Sequence, residues 1–326
     1  MLKNYISCVN CEHDKKEHKG MNCQLCDCKN LYIFVDDNER QRLIDIRKQY
    51  YSMPVVKSLL CSNINVDFGK KTKRETSFLT KAFYKPKKVL RYAQCYNSEK
   101  LDLHFKSLSF INSPFTNIYY SLAHLNFIPK TSINLVERTK LTDYVDFNEQ
   151  YSDYVKGYDI LFDFDLNESE GIDTLEKVHS QAKAFKEILE DKKIPYSLKF
   201  SGSKGFHIMI PFEMIDFGIM DYMAFIEKAL KFVSNIHWAY DLKAIDLSVT
   251  DIKQLCKVPY SLDLDKIALP LTDEQFKHFN PNLVSFDSIV NKKQVTLYNR
   301  GNLIRSYQLM PEQLAQNFKK FFDEYS

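Results

Sequence analysis

The chain has 326 residues, with 45 Lys and Arg against 42 Asp and Glu, a formal charge of +3, 44% hydrophobic and 14% aromatic residues. That length and apolar content exclude a mostly disordered chain and suit one elaborate domain or two modest ones. The near-balanced charge makes local clusters, not net charge, the guide to an anionic partner, and no apolar run approaches the roughly 20 residues that cross a bilayer.

The first 30 residues read as a separate module. Cys8-x2-Cys11 and Cys23-x2-Cys26 are two knuckles separated by eleven residues, each offering two thiolates to one tetrahedral ion. The spacing predicts a structural Zn²⁺ held by Cys8, Cys11, Cys23 and Cys26, with His13, His18 and Cys28 as alternative ligands. Five of the eight cysteines lie between positions 8 and 28. In a reducing compartment such a cluster reads as a metal site, not a disulfide framework. No signal-peptide core precedes it, so the expected location is the cytoplasm (nucleoid-associated), or the nucleus in a eukaryote.

Residues 31–326 read as the catalytic domain. A helical pattern with Leu43, Ile44 and Ile46 ends before Pro54. Basic clusters follow at Lys70-Lys71-Thr72-Lys73-Arg74 and Lys85-Pro86-Lys87-Lys88, the second shortly before Arg91. Short aromatic and β-branched runs fill 64–128, with a strand over Phe115–Leu122, and 129–157 is polar and poorly periodic.

The informative core spans about 158–263. In Tyr158-Asp159-Ile160-Leu161-Phe162-Asp163-Phe164-Asp165-Leu166, Tyr158, Ile160, Phe162 and Phe164 share one face of a strand. Asp163 and Asp165 share the other. Two like charges so placed repel unless a cation sits between them, and hard carboxylate oxygens suit Mg²⁺ or Mn²⁺. An amphipathic helix is expected over about 173–192, from the spacing of Leu175, Val178, Ala182, Phe185 and Leu189. Strands at Tyr196–Phe200 and Phe206–Ile210 flank Ser201-Gly202-Ser203-Lys204-Gly205, a small-residue turn followed by His207. Its N–H groups, hydroxyls and lysine suit a phosphate. Helices at about 219–236 and 311–324 complete a mixed α/β (α+β) domain, expected to hold a central mixed sheet flanked by helices.

The ordered set of Asp163-x-Asp165, Ser201-Gly-Ser-Lys-Gly-x-His207, then Asp246 leading into Lys257-Val258-Pro259-Tyr260-Ser261, resembles the catalytic (small) subunit of DNA primases of the archaeo-eukaryotic superfamily. Arg74-Glu75-x-Ser77-Phe78 with Leu90-Arg91-Tyr92 extends the likeness over about 70–290. The resemblance implies a nucleotidyltransferase that makes primers de novo on single-stranded DNA from nucleoside triphosphates. Asp163, Asp165 and Asp246 would hold two divalent ions. Arg74, Ser201, Gly202, Ser203, Lys204, His207 and Lys257 would contact the nucleotide. A larger primase subunit with an iron–sulfur domain is the implied partner. The chain departs from the pattern at Asp263, where that family commonly carries a histidine, and in its N-terminal placement of the cysteine cluster. A stand-alone primase–polymerase, an end-joining repair polymerase, and a non-catalytic nucleic-acid-binding subunit are the alternatives.

Overall fold

The computed structural model describes residues 37–64, 74–80, 98–107, 110–113, 116–126, 154–215, 221–247, 254–291 and 309–326, together with a few short segments outside these ranges. Among the described residues, four two-residue strands precede the first helix: Ser7–Cys8 (β1), His18–Lys19 (β2), Asn22–Cys23 (β3) and Phe34–Val35 (β4). β1 pairs with β4 and β2 with β3, both antiparallel. The side chains of all seven candidate zinc ligands lie outside the described residues, as do Lys70–Lys73 and Lys85–Lys88.

Helix α1 (Asp37–Ser52) stops where the sequence pattern predicts. A second helix, α2 (Pro54–Ile64), starts at the proline itself. Proline suits a first helical turn, where its missing N–H has no intrahelical acceptor anyway. The chain continues through β5 (Thr76–Thr80), β6 (Leu90–Ala93), α3 (Ser98–Ser107), β7 (Thr116–Ser121), β8 (Ala123–Leu125), β9 (Val155–Tyr158) and β10 (Ile160–Phe164). It then forms α4 (Leu175–Asp191), β11 (Tyr196–Phe200), β12 (Phe206–Ile210), α5 (Tyr222–Ala239), β13 (Leu255–Lys257), β14 (Leu262–Asp263), β15 (Lys266–Ile267), α6 (Asp273–Lys277), β16 (Ile304–Arg305) and α7 (Pro311–Tyr325).

The protein is mixed α/β, but its sheets are not mixed. Two four-stranded sheets form, ordered β10-β12-β11-β16 and β13-β7-β5-β6, and every strand pair among the described residues is antiparallel. The reason is local. β10 and β11 run parallel across α4, yet the Ser201–Gly205 turn folds β12 back into the space between them. A hairpin partner thus separates two strands that a βαβ unit would have paired directly.

Helices cover one face of the first sheet and the second sheet faces the other. On the helical side α4 buries Val178, Ala182, Phe185 and Leu189, and α5 buries Phe225, Ala229, Phe232 and Ile236. Thr174 caps α4 through Lys177 N, and Asp221 caps α5 through the N–H groups of Met223 and Ala224. Phe318, Phe321 and Phe322 of α7 close over Phe232. One continuous core runs from Tyr50 to Phe322. Among the described residues no helix is long and apolar enough to cross a membrane.

Candidate active site

β10 divides its side chains as period-two alternation requires. Phe162 packs 4.3 Å (ring centroids) from Phe185 of α4 and 5.9 Å from Phe232 of α5. Asp163, between Phe162 and Phe164, is therefore turned to the opposite face, towards the second sheet. Register sets His207 directly across from Asp163, and Lys199 across from His207. His207 Nε2 lies 3.2 Å from Asp163 Oδ1, and Nδ1 lies 3.2 Å from Cys256 Sγ of β13. Lys199 Nζ donates to the Lys257 carbonyl at 2.7 Å, tying the two sheets together.

These neighbours set the charges. Burial pushes the Asp163 carboxyl up, but His207, Lys199 and Lys257 outweigh it and hold the group below the ordinary carboxylate range. Burial and Lys199 push His207 down, while Asp163 and Cys256 pull it further the other way, so the imidazole is raised and favours its charged form. Burial alone would raise the Cys256 thiol, yet the positive charges of Lys199 and His207 bring it down to about 7.

The third carboxylate arrives from a remote segment. After α5 the chain returns along the free edge of β10: Asp165 N donates to Ala244 O and Asp246 N donates to Asp163 O, both at 2.8 Å, around a Phe164–Ile245 bridge. Asp163, Asp165 and Asp246 thereby meet at one end of the sheet. Burial pushes the Asp165 carboxyl up. The Leu166 N–H, 2.8 Å from Oδ1, opposes this, and the negative charges of Asp163 and Asp246 add to the rise. A divalent cation would relieve that repulsion, and the donors are hard oxygens of the kind Mg²⁺ or Mn²⁺ prefers. The donor set fits such an ion. Among the described residues no three His, Cys, Asp or Glu side chains already close around one point.

The Ser201–Gly205 turn needs both its glycines. Gly202 has a φ of +91°, and a Cβ on Gly205 would lie 2.0 Å from the Phe164 carbonyl oxygen. That close approach lays the turn against the end of β10. Lys204 Nζ then stands 3.7 Å from Asp165 Oδ2, with the ammonium half exposed, and Ser203 is exposed beside it. Ser201 is turned the other way: its Oγ accepts from Gly205 N at 3.2 Å and lies 3.4 Å from Ser203 N. The N–H groups of Ser203 and Gly205 thus face the turn's own serine.

Two predicted nucleotide contacts are engaged in buried ion pairs. Lys257 Nζ donates to Asp263 Oδ2 at 2.5 Å, a buried pair, so the residue standing in the histidine's place neutralises the lysine. Arg74 is buried with its guanidinium on Asp159, over the Tyr120 ring at 4.4 Å. Asp159 also accepts from Phe212 N at 2.9 Å and lies 3.1 Å from His124 Nε2. Four residue steps along the extended chain, roughly 13 Å, separate Asp159 from Asp163. The structure brings Asp163, Asp165, Asp246, Lys204 and His207 together, and leaves Arg74 at the far end of β10.

Sequence reasoning missed Lys199, Cys256 and Asp159. Lys199 had a signal, a lysine inside an otherwise apolar strand, in step with His207 of the next one. The other two gain meaning only from contacts between the sheets.

A cavity of about 430 Å³ borders Asp165, Asp246 and Lys204. Another of similar size, about 460 Å³, opens near Lys48, Lys57 and Asp102 and includes no member of the carboxylate site. No protein-family model and no curated protein matches the chain. Among solved structures it is similar to the polymerase domain of Mycobacterium tuberculosis Ligase D in complex with DNA, at 13% identity and a TM-score of 0.44. That match covers 78% of this chain and 88% of that one, and a likeness of this size carries no argument about the chain.

Proposed function

We propose that the chain is a DNA-templated nucleotidyltransferase that makes short primers de novo on single-stranded DNA, as the catalytic small subunit of a primase. The observation that carries this reading is the 2.8 Å hydrogen bond from Asp246 N to Asp163 O, beside Asp165 and Lys204. It joins two motifs that are distant in sequence, and Lys204, 3.7 Å from Asp165, brings in the third.

Asp163, Asp165 and Asp246 are the residues that would hold Mg²⁺ or Mn²⁺, which when bound activates an attacking hydroxyl and offsets charge on the triphosphate. Lys204 offers its half-exposed ammonium to a phosphate, and Ser203 an exposed hydroxyl beside it. His207, raised towards its charged form and 3.2 Å from Asp163, favours the ionised carboxylate and orients it. Lys199 supports that arrangement from within the fold. In this reading Cys8, Cys11, Cys23 and Cys26 hold a structural Zn²⁺, and a larger subunit with an iron–sulfur domain completes the enzyme.

The test is synthesis by the purified chain on a single-stranded template, with labelled ribo- or deoxyribonucleotides and Mg²⁺ or Mn²⁺. De novo products that vanish in the folded Asp163→Ala/Asp165→Ala variant support the reading. Extension of a supplied primer without initiation would replace it with a repair polymerase. Template binding without synthesis would leave a non-catalytic subunit.

A further inference from the structure

The chain's single tryptophan, Trp238, is 72% exposed at the C-terminal end of α5. An exposed aromatic ring offers a flat apolar face on which a ligand can stack. Its place is informative: Trp238 lines the 430 Å³ cavity that Asp165, Asp246 and Lys204 also line. The neighbouring His237 is only 7% exposed and lines the same cavity. Its Nδ1 is buried with no hydrogen-bond partner, an unmet need that a bound polar group or its water would satisfy. The two rings meet edge to face at 4.7 Å and 86°, which fixes the indole against the helix end.

We propose that Trp238 is a stacking surface for a nucleobase, seated in this cavity with its phosphate towards Lys204. The proposal rests on the nucleotidyltransferase reading and adds to it a positioning residue that no motif announced. Size agrees, since ligand cavities run from roughly 300 to 1,000 Å³. Charge agrees too. The carboxylates of Asp165, Glu170 and Asp246 disfavour a bare phosphate over most of the cavity, whereas Lys204 favours one beside Asp165. The uncharged base then falls to the indole. Stacking on an aromatic ring accepts any base, as an enzyme that copies every template letter requires.

A lone tryptophan makes the test direct. Intrinsic emission of the full chain is followed during titration with a nucleoside triphosphate, with a short single-stranded oligonucleotide, and with inorganic tripolyphosphate, which has no base. The expected result is red-shifted emission from an exposed indole, quenched by the triphosphate or the oligonucleotide and untouched by tripolyphosphate. Whichever of the two quenches identifies the base as that of a free nucleotide or of a strand. Anisotropy of a labelled form of that ligand should show a loss of roughly 5- to 150-fold in affinity for Trp238→Ala, largely restored by Trp238→Phe.

Blue-shifted emission that shows the indole already covered, or unchanged affinity in Trp238→Ala, overturns the proposal. Template-dependent synthesis with an emission that no ligand alters defeats the stacking surface and leaves the nucleotidyltransferase standing. Quenching by nucleotide with no synthesis does the reverse.

Discussion

His207 stands directly across the strand pair from Asp163, with its Nε2 3.2 Å from Asp163 Oδ1. The imidazole is raised above its ordinary 6.5 and the carboxyl is held below its ordinary 3.8. A raised histidine contributes stability that is full below about 6.5 and is lost as pH rises through the folded value. A lowered carboxylate contributes stability present above about 3.8 and lost as pH falls through its folded value. The pair is therefore strongest in mildly acidic solution. His207→Ala should destabilise the metal-free chain by about 1–3 kcal/mol at pH 5.5, and by less at pH 8.5. Urea melts in EDTA at the two pH values measure this; an equal cost at both would show that the ion pair contributes nothing.

Much of this pairing is legible in the sequence. β11 alternates apolar and polar residues, while Asp163 in β10 and His207 in β12 each interrupt an otherwise apolar strand, so period two assigns these polar side chains to faces before any contact is known. The spacing of Val178, Ala182, Phe185 and Leu189 likewise gives α4. Other parts mislead for physical reasons. In α3, Leu101, Leu103 and Phe105 repeat every second residue, which imitates a strand, yet the segment is a helix with Leu103 54% exposed. Asp246 has Asp241 and Asp251 close by; its apolar neighbours Ile245 and Leu247 favour it in the sequence, and the return of the chain along β10 gives the contact that the sequence lacks. Arg74 and Asp159 are 85 residues apart, and nothing local links them.

That long-range pair yields a second prediction. Arg74 and Asp159 are both buried, so removing one partner strands a charge inside the protein. Arg74→Ala should cost about 3–5 kcal/mol of stability, and Asp159→Asn a comparable amount. A variant of unchanged stability with weaker nucleotide binding would return Arg74 to the list of nucleotide contacts. Chemical denaturation beside a nucleotide titration decides between them.

The buried Lys257–Asp263 pair makes a similar claim about a predicted contact. Asp263→Ala should cost about 3–5 kcal/mol by leaving Lys257 uncompensated. The double variant Lys257→Met/Asp263→Leu should recover most of that loss, since an apolar pair carries no desolvation cost. A double variant no more stable than Asp263→Ala would mean that the lysine's charge is not the source of the cost.

Repulsion among the carboxylates can be read without any substrate. Asp165 is raised above its ordinary 3.8, so its ionisation opposes folding once the pH exceeds that value, and the penalty is complete above the folded one. Asp165→Asn keeps an oxygen for the Leu166 N–H and removes the charge. It should stabilise the metal-free chain at pH 7 while abolishing stabilisation by Mn²⁺, which in the unaltered chain should reach about 2.7 kcal/mol at 100 times the dissociation constant. Thermal melts with and without Mn²⁺ report both effects; a variant that still responds to Mn²⁺ like the unaltered chain would remove Asp165 from the ion's ligands.

In the proposed mechanism, three carboxylates from two distant segments act as one phosphoryl-transfer site. That mechanism is tested most directly by comparing template-dependent synthesis in Asp246→Asn and Asp241→Asn, after melting curves confirm that both are folded. Asp241 is exposed and lies five residues before Asp246, outside the carboxylate cluster. The predicted result is a fall of at least about 100-fold for Asp246→Asn and an unchanged rate for Asp241→Asn. Equal, undiminished rates in the two variants would contradict it.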